Sequence, residues 1–176
     1  ECYLSLGWEA EPVSVLHPAV TDDPTGVLAV HSLSKSSNLA GYRAGFITGD
    51  PVLVRRLLEL RKHAGMIVPR PVQVAMTAAL EDDEHVRAQR ELYAQRRAVL
   101  RPALEDAGFR IEHSQAGLYL WATRGEDAWQ TLDWLAQRGI LVAPGTFYGP
   151  GGAQHVRISL TASDERITAA AKRLVS

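Results

Sequence analysis

The sequence predicts an α/β fold in which short apolar strands alternate with longer helices. Two observations lead to this prediction. Short apolar runs such as 27–30 and 156–160 have the length of buried strands, and they stand between polar segments. A longer segment that begins near Glu84 is rich in Arg, Glu, Gln, Ala and Leu, which are good helix formers.

Two strands and a helix are predicted first along the chain. A buried strand covers 27–30, and a second strand covers 43–48. Asp50 followed by Pro51 is typical of a helix start, because aspartate caps the first turn and proline has a suitable fixed φ. Leucines at helical spacing extend this helix to about Lys62.

Two more helices follow in the middle of the chain. One is predicted over 72–80, and a longer one begins near Glu84 and ends near Gly108, since glycine is common just past a helix end. We expect Pro102 to kink or restart the long helix, because proline lacks the backbone N–H that the helix needs. A soft domain boundary is expected within this helix, around residues 85–95.

The last third of the chain continues the alternation of strands and helices. An amphipathic helix is predicted over 127–138 and is closed by Gly139. Ser163 is a good N-cap for a final helix, and Asp164 suits its first turn. The remaining strands are predicted at 109–112, 118–122 and 156–160.

Composition argues against several classes of protein and partner. The 176 residues are 46% hydrophobic and 22% charged, which is typical of a globular protein. The net charge of −1 gives no support for a nucleic acid or an anionic membrane as partner. No apolar run approaches the roughly 20 residues that a membrane helix needs. We therefore expect a protein that binds neither.

The cysteine and histidine content leads to further expectations. Cys2 is the single cysteine, which excludes an internal disulfide and suits a cytoplasmic location. The six histidines lack metal-ligand spacing, so we expect no metal site. The chain begins with Glu1 rather than Met, and we expect it to be part of a longer protein.

The tetrapeptide Ser-Leu-Ser-Lys at 32–35 has two chemical interpretations. As Ser-x-x-Lys it matches serine acyl-enzymes, but these also need a later Lys-Thr-Gly, which this sequence does not contain. In the second interpretation Lys35 is the nucleophile, and desolvation with a nearby cation keeps its amine partly deprotonated. Lysines are few here, since 16 of the 19 basic residues are arginine.

The residues around Lys35 suit a phosphate-bearing cofactor. Arg43 can hold a phosphate dianion by its planar fork, and the hydroxyls of Ser32 and Ser34 can donate to it. A carbonyl cofactor with a phosphate beside a lysine indicates pyridoxal phosphate. Spacing by itself favours a plainer interpretation, in which Lys35 is an ordinary loop lysine and Arg43 a surface ion-pair partner.

The segment 32–46 closely resembles the Schiff-base signature of class I and II aminotransferases, which belong to the fold-type I pyridoxal-phosphate family. The resemblance lies in Ser-Leu-Ser-Lys, a short spacer, and Gly-Tyr-Arg-Ala-Gly-Phe. It implies pyridoxal 5′-phosphate as cofactor and Lys35 as the catalytic residue that holds it. It also implies that Ser32, Ser34 and Arg43 bind the cofactor phosphate.

Two further segments resemble parts of the same family. Glu1-Cys2-Tyr3 resembles the end of its Asp-x-x-Tyr element, which implies that the Tyr3 hydroxyl binds the phenolate oxygen of the cofactor. The aspartate of that element would fall one position before Glu1. The run 156–160 resembles the strand whose arginine binds the substrate α-carboxylate, which implies that role for Arg157. The plainer alternative is an arginine on an edge strand that bonds to solvent.

The likeness to actinobacterial N-succinyldiaminopimelate aminotransferases covers essentially all 176 residues. It implies the C-terminal portion of a fold-type I transferase. Residues 1–88 would complete the large mixed-sheet domain that binds pyridoxal phosphate, and residues 89–176 would form the small α/β domain. The full-length protein would be a homodimer that acts on amino acids and 2-oxo acids.

The resemblance implies transamination between N-succinyl-LL-2,6-diaminopimelate and 2-oxoglutarate in lysine and diaminopimelate biosynthesis. We expect the 176-residue chain to be inactive alone, because other parts of the family's cofactor pocket are missing from it. Two alternatives keep the fold without catalysis: the effector-binding half of a transcription regulator, or a truncated remnant. The Gly-rich segment 144–152 is either a mobile active-site loop or a surface connection. Tyr119 either lines the substrate site or packs in a strand, and the tryptophans are expected to be packing residues.

Overall fold

The computed structural model describes residues 1–175, which divide into two compact units. The first unit ends at Arg90, and the second begins at Glu91. The first contains a two-stranded sheet, and the second contains a four-stranded one. Within the described part of the chain, no helix combines the length and apolar character that crossing a membrane requires.

The first unit is built on an antiparallel hairpin. Its strands are β1 (Leu28–Ser32) and β2 (Gly45–Gly49), paired from Leu28 opposite Gly49 to Ser32 opposite Gly45. Residues 33–44 connect the two strands and include a 3-10 turn over Ala40–Tyr42. The pairing therefore places both ends of this connection, and with them Lys35 and Arg43, at the same end of the hairpin.

Two helices follow the hairpin, α1 (Pro51–His63) and α2 (Arg70–Leu80). The predicted N-cap is confirmed, because Asp50 Oδ1 accepts hydrogen bonds from the backbone N–H of Val52 at 2.7 Å and of Leu53 at 3.3 Å. The second oxygen, Oδ2, accepts from Gly26 N at 2.8 Å. One buried carboxylate therefore joins the turn before β1 to the start of α1.

The long helix α3 (Glu84–Asp106) contains the division between the units and continues through Pro102. The expectation was a kink or a restart at this proline: the helix does not restart there, and a kink stays a prediction. Proline removes the hydrogen bond to the carbonyl four residues earlier, at a local cost in helix stability. Leu100 and Leu104 lie on either side of it and are almost fully buried, so their packing offsets that cost.

The second unit contains four strands, β3 (Arg110–Glu112), β4 (Tyr119–Thr123), β5 (Ala143–Pro144) and β6 (Val156–Ser159). They form one antiparallel sheet with the spatial order β3-β4-β6-β5. One face is closed, because Leu120, Ala122, Val156 and Ile158 are all buried. Since successive side chains of a strand point to opposite faces, Trp121 and Arg157 share the other face. The two helices of this unit are α4 (Ala128–Ala136) and α5 (Asp164–Leu174).

Local signals placed the helix starts of this unit correctly. Asp127 caps α4 by accepting from Trp129 N at 2.9 Å, and Ser163 caps α5 by accepting from Arg166 N at 3.4 Å. The predicted elements differ from the observed ones by one to three residues at their ends. Such differences arise because the last turn or ladder pair depends on packing as well as on local preference.

The Asp50 contacts generate a testable prediction. Replacing Asp50 by Ala removes the cap of α1 and the link to Gly26, and we expect the melting temperature of the whole protein to fall by roughly 2 °C. Replacing it by Asn keeps an acceptor for the first turn, so the loss should be smaller. Circular dichroism at neutral pH measures both, with the exposed Asp22→Ala as control.

The same residue predicts a pH dependence. Hydrogen bonds from the backbone N–H groups of Gly26 and Val52 hold the pKa of Asp50 below its usual value. The charged carboxylate therefore stabilises the fold above the unfolded-state pKa, and this contribution is lost as the pH falls through the folded-state pKa. The stability difference between wild type and Asp50→Asn should shrink below about pH 4. A difference independent of pH would contradict this account.

Candidate active site

The connection after β1 holds Lys35 in a hydrogen-bonded turn. The carbonyl of Leu33 accepts from the backbone N–H of Ser37 at 3.1 Å and of Leu39 at 3.3 Å. Leu33 is buried and anchors the base of the turn. Lys35 is half-buried within it, and no residue among 1–175 provides a hydrogen-bond or ion-pair partner for its amine. The turn thus carries an amine that no carboxylate neutralises.

Two hydroxyls lie together immediately before Lys35. Ser32 Oγ donates to Ser34 Oγ at 2.9 Å, and the backbone N–H of Ser34 donates to Ser32 Oγ at 3.2 Å. Ser32 is the last paired residue of β1, so the ladder fixes the position of this pair. Hydroxyls can turn their protons toward an incoming anion, and the pair can therefore bind a phosphate oxygen.

Arg43 lies two residues before β2, at the same end of the hairpin as Lys35. It follows the 3-10 turn with a left-handed φ of 52°, and its guanidinium donates to Ala40 O at 3.0 Å. In the described part of the chain no carboxylate pairs with it, so the surface ion pair considered as an alternative is not observed. Gly45 is required nearby, because an added Cβ would lie 2.4 Å from His31 O.

These residues fit pyridoxal phosphate by their chemistry. A phosphate needs donors and positive charge, which the Ser32–Ser34 hydroxyl pair and Arg43 provide. An aldehyde needs an amine that is not engaged in an ion pair, which Lys35 provides. Tyr3 is half-buried, and the segment that carries it lies beside β1, where Glu1 Oε2 is 3.8 Å from His31 Nδ1. The phenolate contact expected for Tyr3 stays a prediction.

Arg157 lies in the second unit, on strand β6. This strand is between β4 and β5, and Arg157 is opposite Trp121 on one side and Ala143 on the other. The alternative of an arginine on an edge strand is therefore wrong. Its Nε is buried without a hydrogen-bond partner, and no carboxylate of residues 1–175 pairs with it. A half-buried cation without a counter-ion is favourable for binding an anion.

Aromatic rings surround the guanidinium of Arg157. Its Cζ lies 4.2 Å from the ring centre of Tyr119 and 5.0 Å from that of Tyr148. Trp121 meets the Tyr148 ring edge-on, with ring centres 5.9 Å apart. Trp121 packs against the ring beside Arg157, and Tyr119 contacts a predicted site residue. The sequence did not single out Tyr148, although an aromatic beside glycine in a site-associated loop is a signal that could have drawn attention to it.

The Gly-rich segment 144–152 consists of two tight 3-10 turns, Gly145–Tyr148 and Pro150–Gly152. Gly145 N donates to His155 O at 2.7 Å, which closes the segment against the strand that follows. A Cβ on Gly145 would lie 2.3 Å from Gly152 O, so the backbones touch. This close packing brings Tyr148 to Arg157. Whether the segment moves during a reaction cycle stays a prediction.

A half-buried imidazole packs on Trp121 as well. His155 stacks on Trp121 with ring centres 5.0 Å apart and planes within 8°, and its Nε2 donates to Glu112 Oε2 at 3.0 Å. Hydrogen bonds from Arg110 and then His155 lower the pKa of Glu112. Residues 1–175 contain no cluster of three or more His, Cys, Asp or Glu side chains able to hold a metal ion.

The fold of both units matches that of fold-type I aminotransferases. Superposition on an aminotransferase structure from Neisseria meningitidis gives a TM-score of 0.89 at 32% sequence identity, covering 99% of this chain and 47% of that one. An aminotransferase structure from Staphylococcus aureus gives 0.86 at 30% identity, with the same two coverages. The α/β class expected from the sequence is therefore confirmed, as about half of this fold.

The family model described as aminotransferase class I and II matches residues 1–174, and the chain belongs to this family, whose members depend on pyridoxal phosphate. It is 71% identical over 175 residues to a probable aminotransferase of Mycobacterium tuberculosis, covering 99% of this chain and 42% of that protein. It is 65% identical over 175 residues to the 4-dedimethylamino-4-oxo-anhydrotetracycline transaminase of Streptomyces rimosus, covering 99% and 49%.

A third relative bears on the substrate that the sequence suggested. The LL-diaminopimelate aminotransferase of Dehalococcoides mccartyi is 34% identical over 164 residues, covering 89% of this chain and 41% of that protein. The chain spans less than half the length of each of these curated relatives. The comparisons therefore establish the family, and they do not by themselves assign the activity or the substrate of the whole protein.

Proposed function

We propose that this chain supplies the lysine-bearing and carboxylate-binding parts of a pyridoxal-phosphate-dependent aminotransferase. The observation that carries the proposal is the end of the β1–β2 hairpin, where the unpaired Lys35 amine follows the Ser32–Ser34 hydroxyl pair. The family match extends over both units and supports the same reaction class. The reaction is the transfer of an amino group between an amino acid and a 2-oxo acid.

When bound, pyridoxal phosphate supplies a carbonyl for the amine and a ring that withdraws electrons from the substrate α-carbon. Lys35 Nζ would hold the cofactor, and its amine would remove and return the proton at the substrate α-carbon as general base and acid. Ser32, Ser34 and Arg43 bind the phosphate, since hydroxyl and guanidinium donors match its oxygens. The Tyr3 hydroxyl donates to the phenolate oxygen of the ring.

Arg157 binds the α-carboxylate that the amino acid and the 2-oxo acid share. A planar guanidinium pairs with both carboxylate oxygens, which fixes the orientation of the α-carbon as well as providing affinity. The absence of a paired carboxylate among residues 1–175 supports this role, because an internal partner would compete with the substrate. Both half-reactions then depend on the same side chain.

The substrate pair is N-succinyl-LL-2,6-diaminopimelate and 2-oxoglutarate in this proposal. The likeness to LL-diaminopimelate aminotransferase supports a diaminopimelate-type substrate. The more similar Streptomyces relative supports a second candidate, the 4-dedimethylamino-4-oxo-anhydrotetracycline that its name gives. Rates measured with these compounds and with LL-diaminopimelate, under identical conditions, decide between them. We further expect the whole protein to act as a homodimer.

The lysine assignment is tested by chemical labelling of the whole protein. Borohydride reduction after incubation with pyridoxal phosphate should place the pyridoxyl group on Lys35, as peptide mapping will show. Lys35→Ala should lose the label and the transaminase activity. Lys62→Ala is the matched control, because Lys62 pairs with Glu59 at 2.7 Å on an exposed helix face. A label on Lys62 in the wild-type protein would refute the assignment.

The carboxylate role predicts a loss in both half-reactions. Arg157→Ala removes a charge-assisted bidentate pair, and we expect kcat/KM to fall on the order of a hundredfold or more for amino donor and 2-oxo acid alike. Steady-state kinetics with each substrate measures this, with the exposed Arg166→Ala as control. Unchanged kinetics with 2-oxoglutarate in Arg157→Ala would exclude the role.

A further inference from the structure

Arg157 is contacted by two aromatic rings and by no carboxylate of the described residues, whereas several other arginines form ion pairs. Arg87 and Arg101, for example, pair with carboxylates of their own helix. Arg157 instead has the rings of Tyr119 and Tyr148 within 4.2 Å and 5.0 Å of its Cζ, and no carboxylate partner in the described part of the chain. Two aromatic rings take the place of a counter-ion.

The position of Tyr148 is fixed by a series of side chains across the sheet. Trp121 contacts its ring edge-on, with planes at 77°. His155 stacks on Trp121, and its Nε2 donates a hydrogen bond to Glu112 Oε2. The close backbone contact of Gly145 and Gly152 holds the turn that carries Tyr148. The ring is therefore held against Arg157 although about half of it is exposed.

We infer that Tyr119 and Tyr148 are positioning residues that hold the Arg157 guanidinium ready for the substrate α-carboxylate. An aromatic face attracts a cation without accepting its in-plane N–H hydrogen bonds. The donors of the guanidinium therefore stay available for the carboxylate, whereas an acidic partner would have to be displaced by each substrate. The inference rests on the proposed function and deepens it.

The physical role predicts a particular kinetic pattern. The substrate carboxylate is present in the ground state and in the transition state. A poorly held Arg157 therefore weakens the binding of these two states equally. A loss of such uniform binding raises KM and leaves kcat nearly unchanged. A substrate without an α-carboxylate does not use Arg157, and its reaction should not depend on the tyrosines.

The experiment compares three single variants of the whole protein loaded with pyridoxal phosphate. Tyr148→Leu removes the ring, Tyr148→Phe keeps the ring without its hydroxyl, and Phe147→Leu removes the neighbouring ring. Phe147 is the matched control, because it is exposed in the same turn and contacts Trp129 instead. Single-turnover rates with an amino acid and with the corresponding decarboxylated amine complement the steady-state KM and kcat.

For Tyr148→Leu we expect KM to rise roughly fivefold for both the amino donor and the 2-oxo acid, with kcat within about twofold. The ratio of amino-acid to amine rate should fall by a similar factor. Tyr148→Phe and Phe147→Leu should both resemble wild type. Tyr119→Leu, if its melting temperature is unchanged, should repeat the pattern of Tyr148→Leu.

Other outcomes separate the inference from the proposed function. If Arg157→Ala raises KM and Tyr148→Leu does not, the positioning role is refuted and the carboxylate role stands. If the amine and the amino acid slow equally in Tyr148→Leu, the ring has a general structural role and the inference is again refuted. If Arg157→Ala leaves both substrates unaffected, the proposed function itself fails.

Discussion

The register of two antiparallel ladders determines where the principal candidate residues, Lys35, Arg43 and Arg157, lie within their units. In the first unit, Ser32 opposite Gly45 ends the hairpin, and this brings Lys35 and Arg43 to one end of it. In the second unit, Trp121 opposite Arg157 puts the guanidinium on the face away from the buried core. A slip of one residue would turn Arg157 into the core, because side chains alternate between faces. Register is thus the constraint on which the placement of these residues within each unit depends.

Both arginines assigned to anions by resemblance lack a carboxylate partner among residues 1–175, while several others form ion pairs. Arg43 lies in the connection that closes the hairpin end carrying Ser32, and Arg157 lies beside two tyrosine rings. Arg157 is half-buried, where uncompensated positive charge is costly unless a ligand neutralises it, whereas Arg43 is exposed. The distribution of ion pairs therefore agrees with the family's chemistry, in which a phosphate and a carboxylate are bound.

Local structure followed closely from local sequence. Asp50, Asp127 and Ser163 each cap the helix that they were predicted to start, because a cap needs only its own side chain and the next backbone N–H groups. Pro102 was the exception, since the burial of Leu100 and Leu104 maintains the helix across it. Burial depends on residues distant in sequence, and no local pattern contains that information.

The sequence by itself determined the α/β class, the helix caps and the Schiff-base signature around Lys35, because each depends on residues that are adjacent along the chain. Only the tertiary structure decided that β6 is an interior strand, that the Tyr148 ring lies against Arg157 and that His155 stacks on Trp121. Tyr148 belongs to the Gly-rich segment and His155 directly precedes β6, so both lie outside the strands. They meet the sheet through backbone contacts at Gly145 and through stacking on Trp121, which arise only when the chain is folded.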